Sequence, residues 1–422
     1  MAGPQETVNS AQKMAENAEN EGVGRGRLPA RQRQGDQPAQ GRPHEEGRLL
    51  RVQCSQGAEG ERRVLAAINA LPIRPEMTGI GSHTANLVEA LAMARAPEAY
   101  VLHGPQTTLP KRAGLYPLLV TPTSPHFEQF ELPNILRRLG VQVYHSPLPS
   151  CPLVRPCPAI VTVHDVIPLA RPDLATQAFT RYFHAVAETC VRSADVVVTV
   201  SEFSRQQIVH FLGVAVKKIR VVHQTVARQF LEPVSDEEQS RVMAKYGLPQ
   251  DYVQYVGSME PRKNVDCLLE AVAALQGKPL VLVGRTQEGY DVEERIRRRG
   301  LGNRVRWLRY VPIGDLPALY ALAGVFVFPS HYEGFGLPVL EAMSCGCPVV
   351  CSSSASLPEV AGSAALYADA GSPEEFAAQI GRVLGSRDLQ DELRGRGKNR
   401  AAEFSHERYA AELLGVYEEL VA

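Results

Sequence analysis

The chain has 422 residues, with 45 Lys and Arg against 46 Asp and Glu, a formal net charge of -1. Hydrophobic residues make up 44% and charged residues 22%, ordinary soluble usage that supplies core enough for two large domains or three smaller ones. That balance excludes a surface tuned throughout to nucleic acid, and no apolar run reaches the ~18 residues of a membrane-spanning helix.

Residues 1–61 are rich in Gln, Glu, Arg, Gly and Pro, and the first aromatic residue of the chain is Tyr100. Such a segment cannot bury enough apolar surface to offset its ordering entropy, so a disordered extension is expected. From Val64 the texture changes. Val64 to Ile68 reads as a buried strand, followed by the glycine turn Gly79-Ile80-Gly81 and a helix over Ser82 to Met93. Strand-like runs recur at Ala99 to Leu102, Val141 to Tyr144, Ile160 to Val163, Val196 to Val200 and Ile219 to Val222, with helices at Gln177 to Arg192 and Glu202 to Phe211. Nearly continuous Val/Ile strands alternating with helices predict a doubly wound parallel sheet. After a polar stretch, Glu232 to Tyr246, the alternation restarts. Strands are expected at Tyr252 to Val256, Pro279 to Val283, Val305 to Leu308, Val325 to Phe328 and Val349 to Cys351, with helices at Val265 to Leu275, Val292 to Arg299, Pro317 to Ala323 and Pro338 to Ser344. The tail, Pro373 to Leu384, Asp388 to Phe404 and His406 to Leu420, reads as three helices. Two such α/β units place a ligand in the cleft where the carboxyl ends of both sheets meet.

Eight cysteines in a chain of this length do not make a disulfide scaffold, and neither Cys151/Cys157 nor Cys345/Cys347 has a second set at zinc spacing. Free thiols in a reducing cytoplasm are expected. No basic segment followed by an apolar one opens the sequence, so a cytoplasmic location is the expectation.

The strongest motif is Glu333-Gly334-Phe335-Gly336-Leu337-Pro338, which joins a buried strand to a helix. Free amides at a helix N-terminus favour an anion, and glycine lets backbone approach a bulky phosphate. A tight turn without ligand would explain the glycines but not Glu333 and Glu341, two carboxylates with sugar-hydroxyl chemistry available to them. Glu260-Pro261-Arg262-Lys263-Asn264 also opens a helix after a strand, and supplies the cations such an anion needs. His164-Asp165 ends another strand, a place that faces the cleft, though a satisfied loop histidine explains the step equally well. The basic run Arg295 to Arg299 reads first as a solvated helix face, with weak membrane-surface association as a secondary expectation.

Together these residues resemble retaining glycosyltransferases of family 4. The stretch from Glu333 to Glu341 is similar to that family's paired-glutamate signature, while Glu260 to Asn264, Thr78-Gly79-Ile80-Gly81, Thr162-Val163-His164-Asp165 and Val198-Thr199-Val200-Ser201 resemble its other motifs in the same order. The resemblance covers residues 62–422 and implies a GT-B fold of two facing Rossmann-like domains. The acceptor domain would be 62–228, with the helix 406–422 packed back on it, and the nucleotide-sugar domain 229–405. By the same resemblance, Lys263 and Arg262 hold a diphosphate with the amides of Gly336, Leu337 and Gly81. Glu341 takes ribose hydroxyls. Glu333, with Gly334 and Phe335, borders the donor sugar, and His164 contacts that sugar from across the cleft. Catalytic weight falls on Glu333, His164 and Lys263.

The implied activity is transfer of a hexose from a nucleoside diphosphate sugar, GDP-mannose favoured, to a sugar or lipid-linked acceptor, with no metal, cofactor or nucleic acid. Two departures stand out: Ser258 occupies a position that is often Arg in the family, and His223-Gln224-Thr225-Val226-Ala227 replaces a Pro-Asn-Gly-Val-Asp run. A catalytically silent nucleotide-sugar binder and a phosphorylase-type enzyme are the competing readings. The first need not keep both glutamates and Lys263, and the second lacks a lysine placed for a pyridoxal cofactor.

Overall fold

A computed structural model describes residues 64–74, 79–94, 98–107, 109, 114–122 and 126–422. The expected extension 1–61 and Thr78 lie outside these residues.

The first sheet has seven parallel strands in the order β3-β2-β1-β4-β5-β6-β7. They are β1 Leu65–Asn69, β2 Glu98–His103, β3 Leu115–Leu119, β4 Val143–Ser146, β5 Ala159–Val163, β6 Val196–Thr199 and β7 Ile219–Val221. The second has six in the order β10-β9-β8-β11-β12-β13, namely β8 Val253–Val256, β9 Leu280–Val283, β10 Val305–Leu308, β11 Val325–Phe328, β12 Val349–Ser352 and β13 Ala365–Ala368. The central strands β1, β4, β5, β6, β9, β11 and β12 are buried along their whole length, as a sheet covered on both faces requires. In both sheets the strand order reverses beside the first strand, which opens a crevice at the carboxyl ends there.

Helix boundaries follow local chemistry. Ser201, Ser235 and Ser405 cap the helices Glu202–Leu212, Asp236–Tyr246 and His406–Val421, each hydroxyl accepting from an amide three residues on. Left-handed Gly213 and Gly247 end the first two. Helix His406–Val421 leaves the second sheet's side and buries Tyr409, Leu413, Val416 and Tyr417 in the core of the first. There the Tyr417 hydroxyl meets His145 Nδ1 at 2.7 Å.

Three expectations need correction. Gly79-Ile80-Gly81 is no separate turn but the first turn of a helix running Gly79–Ala94, because nothing in that stretch interrupts backbone hydrogen bonding. Edge strands β3 and β13 and the helix Leu132–Leu139 were not anticipated; β3 carries Pro117, and β3 and β13 are only partly buried. The segment Gln177 to Arg192 is not uniform, since a π-turn over Phe183–Ala187 divides it. Arg262 and Lys263 sit on a 3-10 turn, Pro261–Lys263, just before the helix Val265–Ala274, whose start is where it was expected. Left-handed Asn264 separates turn from helix, and its Nδ2 donates to the carbonyls of Pro329 and Ala370.

Candidate functional site

The turn after β8 and the glycine loop after β11 converge. Lys263 Nζ lies 2.7 Å from Glu333 Oε1 and Arg262 Nη1 lies 3.1 Å from Glu333 Oε2. Arg262 also donates from Nη2 to Glu260 Oε1 at 2.7 Å and from Nη1 to the Tyr332 carbonyl at 3.0 Å, while the His331 amide donates to the Arg262 carbonyl. Lys263 Nζ stands over the Phe328 ring, 4.9 Å from its centroid. Lys263 and Glu333 are both buried, so each would be costly alone. Burial works to raise the Glu333 carboxyl, but Lys263 and Arg262 outweigh it and hold it below its ordinary value. Burial lowers the Lys263 ammonium, with Glu333 working against that shift.

The glycine loop is shaped by contact. A Cβ on Gly334 would fall 2.0 Å from the His164 carbonyl oxygen, so no other residue lets the two sheets approach this closely here. Gly336 has φ +111° and caps the helix Leu337–Ser344, where Pro338 has no N–H and the Val339 amide donates to the Gly336 carbonyl, leaving Leu337 as the amide at the helix start. Glu341 lies in the second turn of that helix, where it accepts a hydrogen bond from the Tyr320 hydroxyl at 3.0 Å. Burial pushes its carboxyl up to about 7.

Across the cleft, His164 follows β5. Its Nε2 donates to the Pro147 carbonyl at 3.1 Å, and the Gln224 amide approaches Nδ1 at 3.4 Å. The His83 ring packs edge-on against it with centroids 4.5 Å apart. Burial keeps His83, His145 and His164 below the ordinary imidazole value, with Asp165 working against that shift at His164.

Several residues that sequence reasoning left out of the site tie the two sides together. The Ser201 hydroxyl donates to the Gly334 carbonyl at 2.7 Å, and Ser204 Oγ lies 2.9 Å from the His164 carbonyl and 3.2 Å from that of Gly334. Glu359 accepts from the amides of Glu202 and Phe203, at the N-terminus of the Ser201-capped helix, and from His223 Nε2 at 2.9 Å. A carboxylate there meets both unpaired amides and the helix dipole. The His223–Ala227 departure thus has structural uses. His223 pairs with Glu359, Gln224 reaches His164, and the Thr225 carbonyl accepts from Asn86. Only the Ser-x-x-Ser spacing at a strand end hinted at this, as a cap.

Of the residues expected at the site, Arg262, Lys263, Glu333, Gly334, Phe335, Gly336, Leu337, Glu341 and His164 all lie on loops or helix starts at the carboxyl ends of the two sheets. Gly81 is buried in the first turns of the helix Gly79–Ala94, at the same end of the first sheet. Ser258 is exposed and hydrogen-bonds Glu260. Of the basic run, Arg297 and Arg298 are exposed, whereas Arg295 and Arg299 pair with Asp266. The seven cysteines among the described residues are unpaired. Among those residues no helix is long and apolar enough to cross a membrane, and no group of three or more His, Cys, Asp or Glu could hold a metal ion.

Comparison with known proteins agrees with this geometry. A family model described as glycosyltransferase family 4 matches residues 77–229, and one described as glycosyl transferases group 1 matches residues 236–400. The O-antigen chain mannosyltransferase B of Escherichia coli is 34% identical over 82% of this chain and 97% of its own. The MMP alpha-(1->4)-mannosyltransferase of Mycolicibacterium hassiacum is 30% identical over 63% of this chain and 66% of its own. Among solved structures, sucrose-phosphate synthase from Thermosynechococcus elongatus superposes with a TM-score of 0.70 at 20% identity, covering 85% of this chain and 99% of that one. Anabaena Alr3699/HepE in complex with UDP-glucose superposes at 0.69 and 17% identity, covering 85% and 100%. Two parallel sheets meeting at a shared cleft, with both halves matched in order by these models, make this chain a GT-B hexosyltransferase that belongs to glycosyltransferase family 4.

Proposed function

We propose that the protein transfers mannose from GDP-mannose to an acceptor hydroxyl with retention of anomeric configuration, using 229–405 as donor domain and 62–228 with 406–422 as acceptor domain. The observation that carries this reading is the buried Lys263–Glu333–Arg262 cluster beside the glycine loop, facing His164. A diphosphate entering there would find Lys263, Arg262 and the amides of Gly336 and Leu337 already in place. As the bond to the sugar breaks, they stabilise the leaving phosphate, which takes the acceptor proton on the same face as the incoming oxygen. Glu333, still ionised, opposes positive charge developing at the anomeric carbon. Glu341 accepts from ribose hydroxyls, and neutral His164 hydrogen-bonds the sugar. The choice of mannose is supported by the relatives named above. The UDP-glucose of the Anabaena protein makes the base a question for measurement.

Donor hydrolysis and transfer by the Lys263→Ala variant test the mechanism, with a loss of about a hundredfold or more expected for one preorganised donor. Unchanged rates would overturn it. Thermal shifts with GDP and UDP settle the base, with GDP expected to stabilise more. Product NMR settles the anomer, with an α-linked product expected from an α-linked donor.

A further inference from the structure

Glu333 and Glu341 are held by different means. Glu333 is cancelled by Lys263 and Arg262, whereas the side-chain oxygens of Glu341 meet one partner among the described residues. That partner is the Tyr320 hydroxyl, which donates to Oε2 at 3.0 Å. Tyr320 belongs to the helix Leu316–Leu322 and is fully buried. Its ring packs edge to face on Phe326 of β11 and on Phe230 of the segment that joins the two halves, with centroids 5.4 and 6.1 Å apart. A ring enclosed in this way has little room to move, so its hydroxyl is a fixed point in the wall.

That fixed point divides the carboxylate. Two carboxylate oxygens offer about four lone-pair positions, and Tyr320 takes one of those on Oε2. The same bond favours the ionised form against the burial that pushes the carboxyl up to about 7. An ionised and oriented carboxylate keeps Oε1 and the rest of Oε2 for two neighbouring hydroxyl donors. A protonated or rotated one loses an acceptor.

We propose that Tyr320 is a positioning residue of the donor site, which fixes Glu341 so that both ribose hydroxyls bond its carboxylate and the enzyme selects a ribonucleotide over a 2′-deoxyribonucleotide. Being fully buried, Tyr320 acts only through Glu341. A site built to hydrogen-bond a hydroxyl rejects the analogue that lacks it, because its own buried group is left unpaired. The assignment rests on the ribose role given to Glu341 above.

The test titrates GDP and 2′-deoxy-GDP into the full chain by calorimetry, in the parent and in Tyr320→Phe. The parent should bind GDP at least about tenfold more tightly than the deoxy nucleotide. In Tyr320→Phe, GDP should weaken about three- to tenfold, the size of one hydrogen bond, and 2′-deoxy-GDP less than about twofold, so the preference narrows. A merely structural tyrosine would weaken both nucleotides by one factor, or neither. Either result overturns the proposal, as does a parent that binds the two equally. Should Tyr320→Phe not fold, a crystal structure of the parent with GDP decides the same point. The Tyr320 hydroxyl should remain on Oε2 with both ribose hydroxyls on the carboxylate, and a ribose bound away from Glu341 overturns the proposal. Donor hydrolysis by the parent is measured alongside. Absence of turnover with the GDP preference intact would sink the transfer reading and leave this assignment standing.

Discussion

The two walls of the cleft solve the problem of buried polarity in opposite ways. The wall built on the second sheet keeps its groups ionised and cancels them against one another, Lys263 and Arg262 against Glu333 and Glu260. The wall built on the first sheet instead buries three imidazoles, His83, His145 and His164, each held below its ordinary value by burial. A charged wall is preorganised for an anion whose charge changes during reaction. Imidazoles held uncharged can face a sugar without competing for that anion.

The contrast can be broken most severely at Glu333. Glu333→Ala leaves two cations with half their neutralisation gone, and removing one partner of such a buried set costs about 3 kcal/mol or more. Urea titration should show that loss in midpoint at unchanged slope. Gly334→Ala attacks the seam between the walls, because the added methyl falls on the His164 carbonyl. Its expected signature is a hundredfold or greater loss of transfer, measured in single turnover, in a protein that still melts cooperatively.

The buried imidazoles and Glu341 should respond oppositely to pH. The buried imidazoles have folded-state values below their unfolded ones, so the unfolded chain binds more protons as pH falls below about 6.5 and stability is lost there. Glu341, raised to about 7, binds its proton more tightly when folded, so its contribution is lost as pH rises from about 4.5 to 7. Melting curves from pH 4.5 to 8 should therefore steepen toward acid in Glu341→Gln, which removes the opposing slope. The smallest effect belongs to Ser201→Ala. It deletes a helix cap and a bond to the Gly334 carbonyl, lowering stability by about 1 kcal/mol in thermal denaturation.

The alternation of buried strands and helices was legible because parallel strands covered on both faces are apolar throughout, as Val325–Phe328 and Val349–Ser352 are. The edge strands β3, which Pro117 interrupts, and β13, only four residues long, were missed, whereas the edge strand β10 was anticipated. Arg262, Lys263, Glu333 and Glu341 were singled out by their motifs, and the structure brings Lys263 and Arg262 onto Glu333. What sequence spacing does not encode is pairing across 70 residues, the separation of Lys263 from Glu333, or across 157, that of Glu202 from Glu359. Glu359 in particular sits in an unremarked five-residue helix, and only three dimensions reveal that it caps a helix of the other half.

The return of helix His406–Val421 to the first sheet has a mechanical consequence. The chain crosses between the halves twice, once after β7 and once before His406, and the returning segment is anchored by Tyr417 on His145. A body tethered at two points can swing about the line joining them but cannot swivel freely.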